Sequence, residues 1–356
     1  MPKGPPAGSR SRSQIITGEF EFIHTIQKRF GFVRSPIVLG IGDDAAVLRP
    51  TPNDDFLVST DLLTEGIHFN LKLHSFKEIG YRAAVANLSD IAAMGGIPQA
   101  LLVGVAIPPR SSRKSLTNLY DGLMKPCREH GVALIGGDTS RSCSGLFLSI
   151  TVLGKIRHGQ SLTRSGAKVS DHIYVTGTLG DSSAGLRLLK QLRRSRRGHQ
   201  KKKSEVKLAQ RHLRPIPRLV IGHKLVQHNL AHAAIDLSDG LSGDLRHLCT
   251  ASHVGAEVWA KHLPISPECR KFAHDHGELP LDFAMGGGED FELLFTAPAI
   301  HRGRIETLSL SCNVPISCIG QIHPKEFGIR LKLADGSSRK VPITSFNHFT
   351  MVAAPL

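Results

Sequence analysis

Residues 40–48 read GIGDDAAVL, two adjacent aspartates set between glycines and an apolar run. Alone, Gly-Asp-Asp is a surface turn, because glycine supplies unusual backbone angles and aspartate bonds its own backbone there. The arrangement recurs, however. Asp61 lies in STDLLTEGIHF (residues 59–69), Asp90 in NLSDIAAMGG (87–96) and Asp138 in LIGGDTS (134–140). Asp236 and Asp239 lie in AIDLSDGLSGDL (234–245), and Glu289 and Asp290 in MGGGEDFELLF (285–295). Several of these acids close an apolar run beside Gly, Ser or Thr, which is where an α/β protein collects its site loops. The fold class read from this pattern is α/β.

The rest of the chain agrees. Strand-like runs at 56–60, 101–107, 132–135 and 146–156 are separated by helical stretches at 76–94 and 113–130. A helix is also expected in GEFEFIHTIQKRF (18–30), where Phe20, Ile23, Ile26 and Phe30 share one face. After a turn-rich connection, HIYVTGTLGDSSAGLRLL reads as strand, Gly-rich turn and helix. Beyond it come helices at 218–227 and 240–249 and strands at 233–237, 292–296, 316–319 and 329–333. The expected organisation is a basic tail (1–17), an α/β domain (18–156), a linker (157–170) and a second α/β domain (171–350) carrying a basic insertion at about 193–207.

The 356 residues carry a net charge of +15. Much of it is local: residues 190–214 hold eleven Lys/Arg against Glu205 alone, and the tail adds Lys3, Arg10 and Arg12. The remainder is close to neutral. The basic block reads as a solvated segment, and no nucleic-acid-binding signature accompanies it. No apolar run is long enough for a membrane span, and the tail lacks the apolar centre of a signal peptide, so a cytoplasmic protein is expected. Six cysteines form no CxxC pair, and the spacing of His262, Cys269, His274 and His276 fits no zinc pattern.

Like-charged carboxylates repel one another unless cations sit among them, and carboxylate oxygens suit a hard ion such as Mg²⁺, which shares its shell with substrate phosphates. A phosphate-handling site with several Mg²⁺ ions follows. Yet no P-loop, no dinucleotide fingerprint and no protein-kinase signature is present. GTLGDSSAG (177–185) opens a helix that could receive a phosphate, although a plain helix-entry turn explains it equally well.

Taken in order, GIGDDAAVL, STDLLTEGIHF, NLSDIAAMGG, LIGGDTS, LTRSGA, VTGTLGDSSAGL, HLRPIPR, AIDLSDGL and GGGEDFELLFT closely resemble the thiamine-monophosphate kinases. That family belongs to the ATP-binding superfamily of aminoimidazole ribonucleotide synthetase and selenophosphate synthetase. The resemblance spans residues 18–349. It implies a two-domain architecture of mixed sheets with ATP in the cleft between the domains, a homodimer, and phosphorylation of thiamine monophosphate by ATP. It further implies that Asp44, Ser59, Thr60, Asp61, Asp90, Asp138, Asp236 and Asp239 hold Mg²⁺, with Asp44, Asp61, Asp90, Asp138 and Asp239 at the catalytic centre. Tyr120, Gly137, Asp138, Arg164 and Ser238 match ATP-contacting positions, and His68, Glu289 and Phe346 those for thiamine phosphate. Of the opening pair, only Asp44 matches a metal position; Asp43 fixes the turn. The chain departs from the family near its end, with Ser345-Phe346-Asn347-His348-Phe349 where relatives carry Gly-Tyr or Gly-Trp before His-Phe.

Two other readings stand beside this one. An enzyme like aminoimidazole ribonucleotide synthetase would share the ATP half but need a different substrate lobe. A basic nucleic-acid-binding protein on a retired scaffold would have no reason to keep so many clustered acids.

Overall fold

The computed structural model describes residues 37–39, 43–49, 52–109, 111–194 and 203–341. The helix expected at 18–30, the basic tail and Phe346 lie outside the described residues.

Among the described residues, the first unit is a six-stranded sheet with two helices. Its elements are β1 (Ile37–Leu39), β2 (Ala46–Leu48), β3 (Asp54–Thr64), α1 (Phe76–Ala93), β4 (Ile97–Ile107), α2 (Arg113–Glu129), β5 (Ala133–Arg141) and β6 (Phe147–Arg157). The strand order is β1-β2-β3-β6-β4-β5. β3 and β6 pair antiparallel along their whole length, and β4 and β5 pair parallel. Period-two alternation decides which face is covered. Leu57, Leu63, Leu101, Val103, Val105, Leu148, Ile150 and Val152 are buried on the helix side. On the other side Phe56, Leu62 and Leu102 remain exposed, Leu62 at 61%. Every residue of the edge strand β5 is exposed.

Ser75 and Glu78 form a reciprocal capping box that starts α1. The helix is buried on nearly every side, as expected for one lying between layers. Its neighbours come close through glycine: a Cβ on Gly80 would meet the Leu119 carbonyl oxygen of α2 at 1.9 Å.

The second unit contains β7 (His172–Thr176), α3 (Asp181–Arg194), α4 (Lys203–Leu213), α5 (Leu219–Gln227), β8 (Ala233–Asp236), α6 (Leu241–Ala251), β9 (Val254–Trp259), α7 (Pro267–Asp275), α8 (Pro280–Gly286), β10 (Leu293–Ala297), α9 (Arg302–Cys312), β11 (Ile316–Pro324), β12 (Ile329–Lys332) and β13 (Ser338–Lys340). Its sheet runs β13-β12-β9-β11-β7-β10-β8, mixed because β12 pairs parallel with β9. Two flanks of the basic block are helical, since α3 extends to Arg194 and α4 begins at Lys203.

β10 runs antiparallel between β7 and β8, with Leu293 opposite Asp236 and Leu294 opposite Val175. The start of β10 therefore lies beside the ends of the other two strands. This brings the Gly-rich loop 286–292, Asp236 and the turn after Thr176 to one end of the sheet. The two units meet through helices: a Cβ on Gly222 of α5 would lie 2.0 Å from the Ala92 carbonyl oxygen of α1.

Candidate functional site

Where the units meet, three acids from three separate motifs converge. One carboxylate oxygen from each of Asp44, Asp90 and Asp236 lies within 4.8 Å of the other two. Asp44 precedes β2, Asp90 lies near the end of α1 and Asp236 closes β8. Asp61 belongs to the same charged neighbourhood: burial, then Asp61, Asp236 and Asp44, push the Asp90 carboxyl well above its ordinary range. Burial, then Asp44, does the same to Asp236. Asp61 is pushed up to about 6 by burial, and Asp43 to about 7 by burial and then by Asp44. An all-carboxylate donor set at this spacing, with mutual repulsion to relieve, suits a hard divalent cation.

One cation of the protein already faces this group. Arg164, in the connection between the units, donates through Nη2 to Asp44 at 2.8 Å and through Nε to the other oxygen at 3.2 Å. Its backbone N–H donates to Asp43, whose carboxylate also accepts from Asp44 N. The two acids of GIGDD thus differ: Asp44 faces the cluster, and Asp43 ties the connection to the turn.

Ser59 donates to Asp90 at 2.5 Å from the helix side of β3. Strand alternation turns the next residue over. The Thr60 hydroxyl bonds the Ile150 carbonyl and Thr151, away from the acids. Asp138 stands apart for a related reason. Gly137 is in register with Val103, Ile150 and then Asp61, three strand spacings or roughly 14 Å across the sheet. One chain therefore does not gather all eight expected ligands into one cradle: Thr60 and Asp138 belong to the open face and its edge. Tyr120 is half-buried against the core of the first unit, likewise apart from the cluster.

Asp239 follows Asp236 by three residues in the turn before α6. That turn is shaped by an acid the sequence reading passed over: Asp244 accepts from the backbone N–H of both Asp239 and Gly240, at 3.2 and 3.0 Å. Its signal was visible in the SGDL repeat of the Gly-Asp pattern. Ser238 accepts through its carbonyl from Glu289 N at 2.7 Å, joining this turn to the Gly-rich loop. His68 sits past the end of β3, where its Nδ1 accepts from Thr64 N at 3.0 Å, which leaves the ring proton on Nε2.

The Gly-rich loop is held by charge. Asp290 accepts from Gly180 N and Ser182 N at the start of α3. Glu292, fully buried, accepts from Arg218 Nε and Nη2 at 2.5 Å each, from Arg211 Nη2 at 2.7 Å and from Thr176 at 2.6 Å. Arg218 closes HLRPIPR and Arg211 immediately precedes it, so the two ends of that segment form the clamp beneath GGGEDFE. Between these anchors Glu289 adopts a left-handed backbone conformation, φ 64°, and its carboxylate pairs with Arg82 of α1.

The histidine and cysteine residues near 262–276 do not converge. His274 is exposed, His276 Nδ1 bonds the Phe272 carbonyl, and Cys269 lies against Gly180. Among the described residues the only group of three or more potential ligands is the aspartate cluster. No helix among the described residues is long and apolar enough to cross a membrane.

Comparison with known proteins agrees with this geometry. Residues 42–156 match the AIR synthase related protein N-terminal domain, and residues 168–331 the corresponding C-terminal domain. The chain is 38% identical to thiamine-monophosphate kinase of Escherichia coli strain K12 over 94% of this chain and 99% of that protein. Among solved structures it superimposes on AaThiL complexed with AMPPCP and TMP with a TM-score of 0.82, at 31% identity over 95% of this chain and 100% of that one. The thiamine-monophosphate kinase of Stenotrophomonas maltophilia K279a gives a TM-score of 0.73 at 37% identity, over 90% and 96% of the two chains.

Proposed function

The chain belongs to the thiamine-monophosphate kinases, built on the two AIR synthase related domains, and we propose that it transfers the terminal phosphoryl group of ATP to thiamine monophosphate, giving ADP and thiamine diphosphate. The observation that carries this reading is the convergence of Asp44, Asp90 and Asp236 from both domains in a chain matched over nearly its full length to these kinases.

The attacking atom is a phosphate oxygen of thiamine monophosphate. With a second pKa of about 6, that phosphate is already ionised at neutral pH, so no general base is required. This agrees with an acid-rich site lacking a catalytic histidine. What has to be overcome is repulsion between two polyanions. Asp44, Asp90 and Asp236, with Asp61, Ser59 and Asp239 beside them, are assigned to holding Mg²⁺. When bound, Mg²⁺ supplies neutralisation and alignment of the phosphate oxygens. Arg164 presents a planar fork of donors suited to the ATP phosphates, and the Ser238 turn lies against the loop that carries Glu289. Glu289 and His68 are assigned to the thiamine moiety, which offers a positive thiazolium ring and an amino group to a carboxylate. Phe346 is assigned a ring-stacking role.

A homodimer and a cytoplasmic location complete the reading. The open face of the six-stranded sheet supports the dimer, since its exposed Phe56, Leu62 and Leu102 form the kind of apolar patch that marks an interface. Thr60, Gly137, Asp138 and Tyr120, assigned to metal and nucleotide, are the residues away from the acid cluster. For Thr60 and Asp138, which lie on the open face and its edge, participation is read as requiring a second copy on that face.

The test is production of thiamine diphosphate from thiamine monophosphate, ATP and Mg²⁺, with Asp44→Asn and Asp236→Asn alongside. Product from the intact chain, reduced at least a hundredfold in both variants, is expected. No product from folded, ATP-binding protein would sink the assignment of substrate.

A further inference from the structure

A buried polar chain crosses from the first domain to the second behind Glu289. His74 Nε2 and His212 Nε2 are 2.9 Å apart, both side chains buried. His212 Nδ1 lies 3.2 Å from Arg82 Nη1 and 3.1 Å from Ser182 Oγ. Arg82, itself buried, also donates to the His212 carbonyl and pairs with Glu289.

A guanidinium only donates, so His212 Nδ1 must accept and its proton sits on Nε2. His74 Nε2 then accepts that proton's bond, while its Nδ1 lies 3.1 Å from the Asn70 carbonyl and 3.2 Å from the Asn70 backbone N–H. Donation thus runs from Arg82 to His212 and from His212 to His74. A second proton on either ring would face a donor. Burial, then Arg82, accordingly holds both histidines below their ordinary range, His74 at about 4.

We propose that Arg82 and His212 are positioning residues for the thiamine phosphate substrate, acting through Glu289. The left-handed backbone of Glu289 aims its carboxylate out of the loop, and Arg82 holds that carboxylate from α1 of the opposite domain. His212 in turn fixes the Arg82 fork, so that the guanidinium has one available orientation. The inference rests on the functional reading above, since it gives Glu289 the substrate role assigned there. It predicts that ATP affinity, which the cluster and Arg164 govern, is independent of this chain of contacts.

The experiment is steady-state kinetics on the full chain with Arg82→Met, Arg82→Lys, Glu289→Gln and the double variant Arg82→Met/Glu289→Gln, with melting temperatures measured in parallel. Loss of a charged hydrogen bond predicts a rise of about tenfold or more in the KM for thiamine monophosphate in Arg82→Met. The KM for ATP should stay within about twofold. Arg82→Lys should recover part of the loss, and the double variant should be no worse than the more damaged single variant, because both changes remove one interaction. Should Arg82→Met not accumulate as folded protein, Arg82→Gln withdraws the charge while keeping a donor for the His212 carbonyl, and carries the same comparison. An unchanged KM for thiamine monophosphate, an equal rise in the KM for ATP, or multiplied losses in the double variant would overturn the inference and leave the kinase reading intact. Absence of thiamine diphosphate with the intact chain would remove both.

Discussion

Replacing Glu292 with Gln tests whether Arg211 and Arg218 form a structural clamp. One fully buried carboxylate serves two guanidinium groups and the Thr176 hydroxyl. The amide of Gln keeps the shape but withdraws the charge and turns one donor toward donors. Arg211 retains Asp181 at 3.9 Å and some solvent, its side chain being 21% exposed, whereas Arg218 is only 10% exposed. Breaking a buried pair from one side costs about 3–5 kcal/mol, and the residual solvation of Arg211 argues for the lower end, about 3 kcal/mol. For a unit the size of the second domain this is roughly 6–12 °C in melting temperature. The acid limb gives a second readout. Burial opposes ionisation of Glu292, but the charge and hydrogen bonds of Arg218, then Arg211, hold its pKa below the ordinary 4.5. The folded state binds this proton less readily than the unfolded one. The stabilisation is therefore present above pH 4.5 and lost as pH falls through the folded value. Calorimetry or urea titration from pH 3 to 7 should show the gap between intact chain and Glu292→Gln narrowing toward acid. A cost below about 1 kcal/mol, or a gap independent of pH, would refute the clamp.

Gly222→Ala should destabilise by about 3 kcal/mol, since the added methyl meets the Ala92 carbonyl at 2.0 Å; an unchanged melting temperature would show that the helices yield freely. Mg²⁺ binding should weaken from pH 8 to pH 6, because Asp61 among the assigned ligands and Asp43 beside them, raised to about 6 and 7, gain protons over this range that the ion's charge has to drive off. Calorimetry in buffers of different ionisation enthalpy should detect their release, and an absence of proton release would contradict it. For the same reason these acids stabilise the ion-free chain most at low pH, with that contribution declining as pH rises from about 4 to about 7. Leu62→Glu, placed on the open sheet face, should halve the mass seen by light scattering at micromolar concentration; a mass equal to that of the intact chain would argue against this face as the interface.

The α/β class and most strand positions were legible because apolar runs ending in Gly-Asp or Ser-Asp punctuate the chain. β3 extends beyond the expected 56–60 at both ends, to Asp54 and Thr64, through ladder bonds to β6. α7, α8 and α9 were passed over; α7 and α8 open on Pro267 and Pro280, which serve as first-turn residues. Asp44, Asp90 and Asp236 were legible as a set. Strand parity set Thr60 and Asp138 apart from them, and parity is invisible until register is known. Arg82 and Asp244 carried no motif of their own; their roles arise from partners 207 and 5 residues away.

The backbone contact between Gly222 and Ala92 has a mechanical consequence. Helices that touch through side chains can slide by exchanging rotamers, but a Cα resting against a carbonyl has no such freedom. The angle between the domains is therefore set as a rigid corner. Accommodation of two bulky substrates falls to the short segments at the mouth of that corner: the glycine-rich turn and the Asp239 turn. Mobility on substrate arrival should concentrate there, while hydrogen exchange in α1 and α5 stays as slow as in the cores on either side.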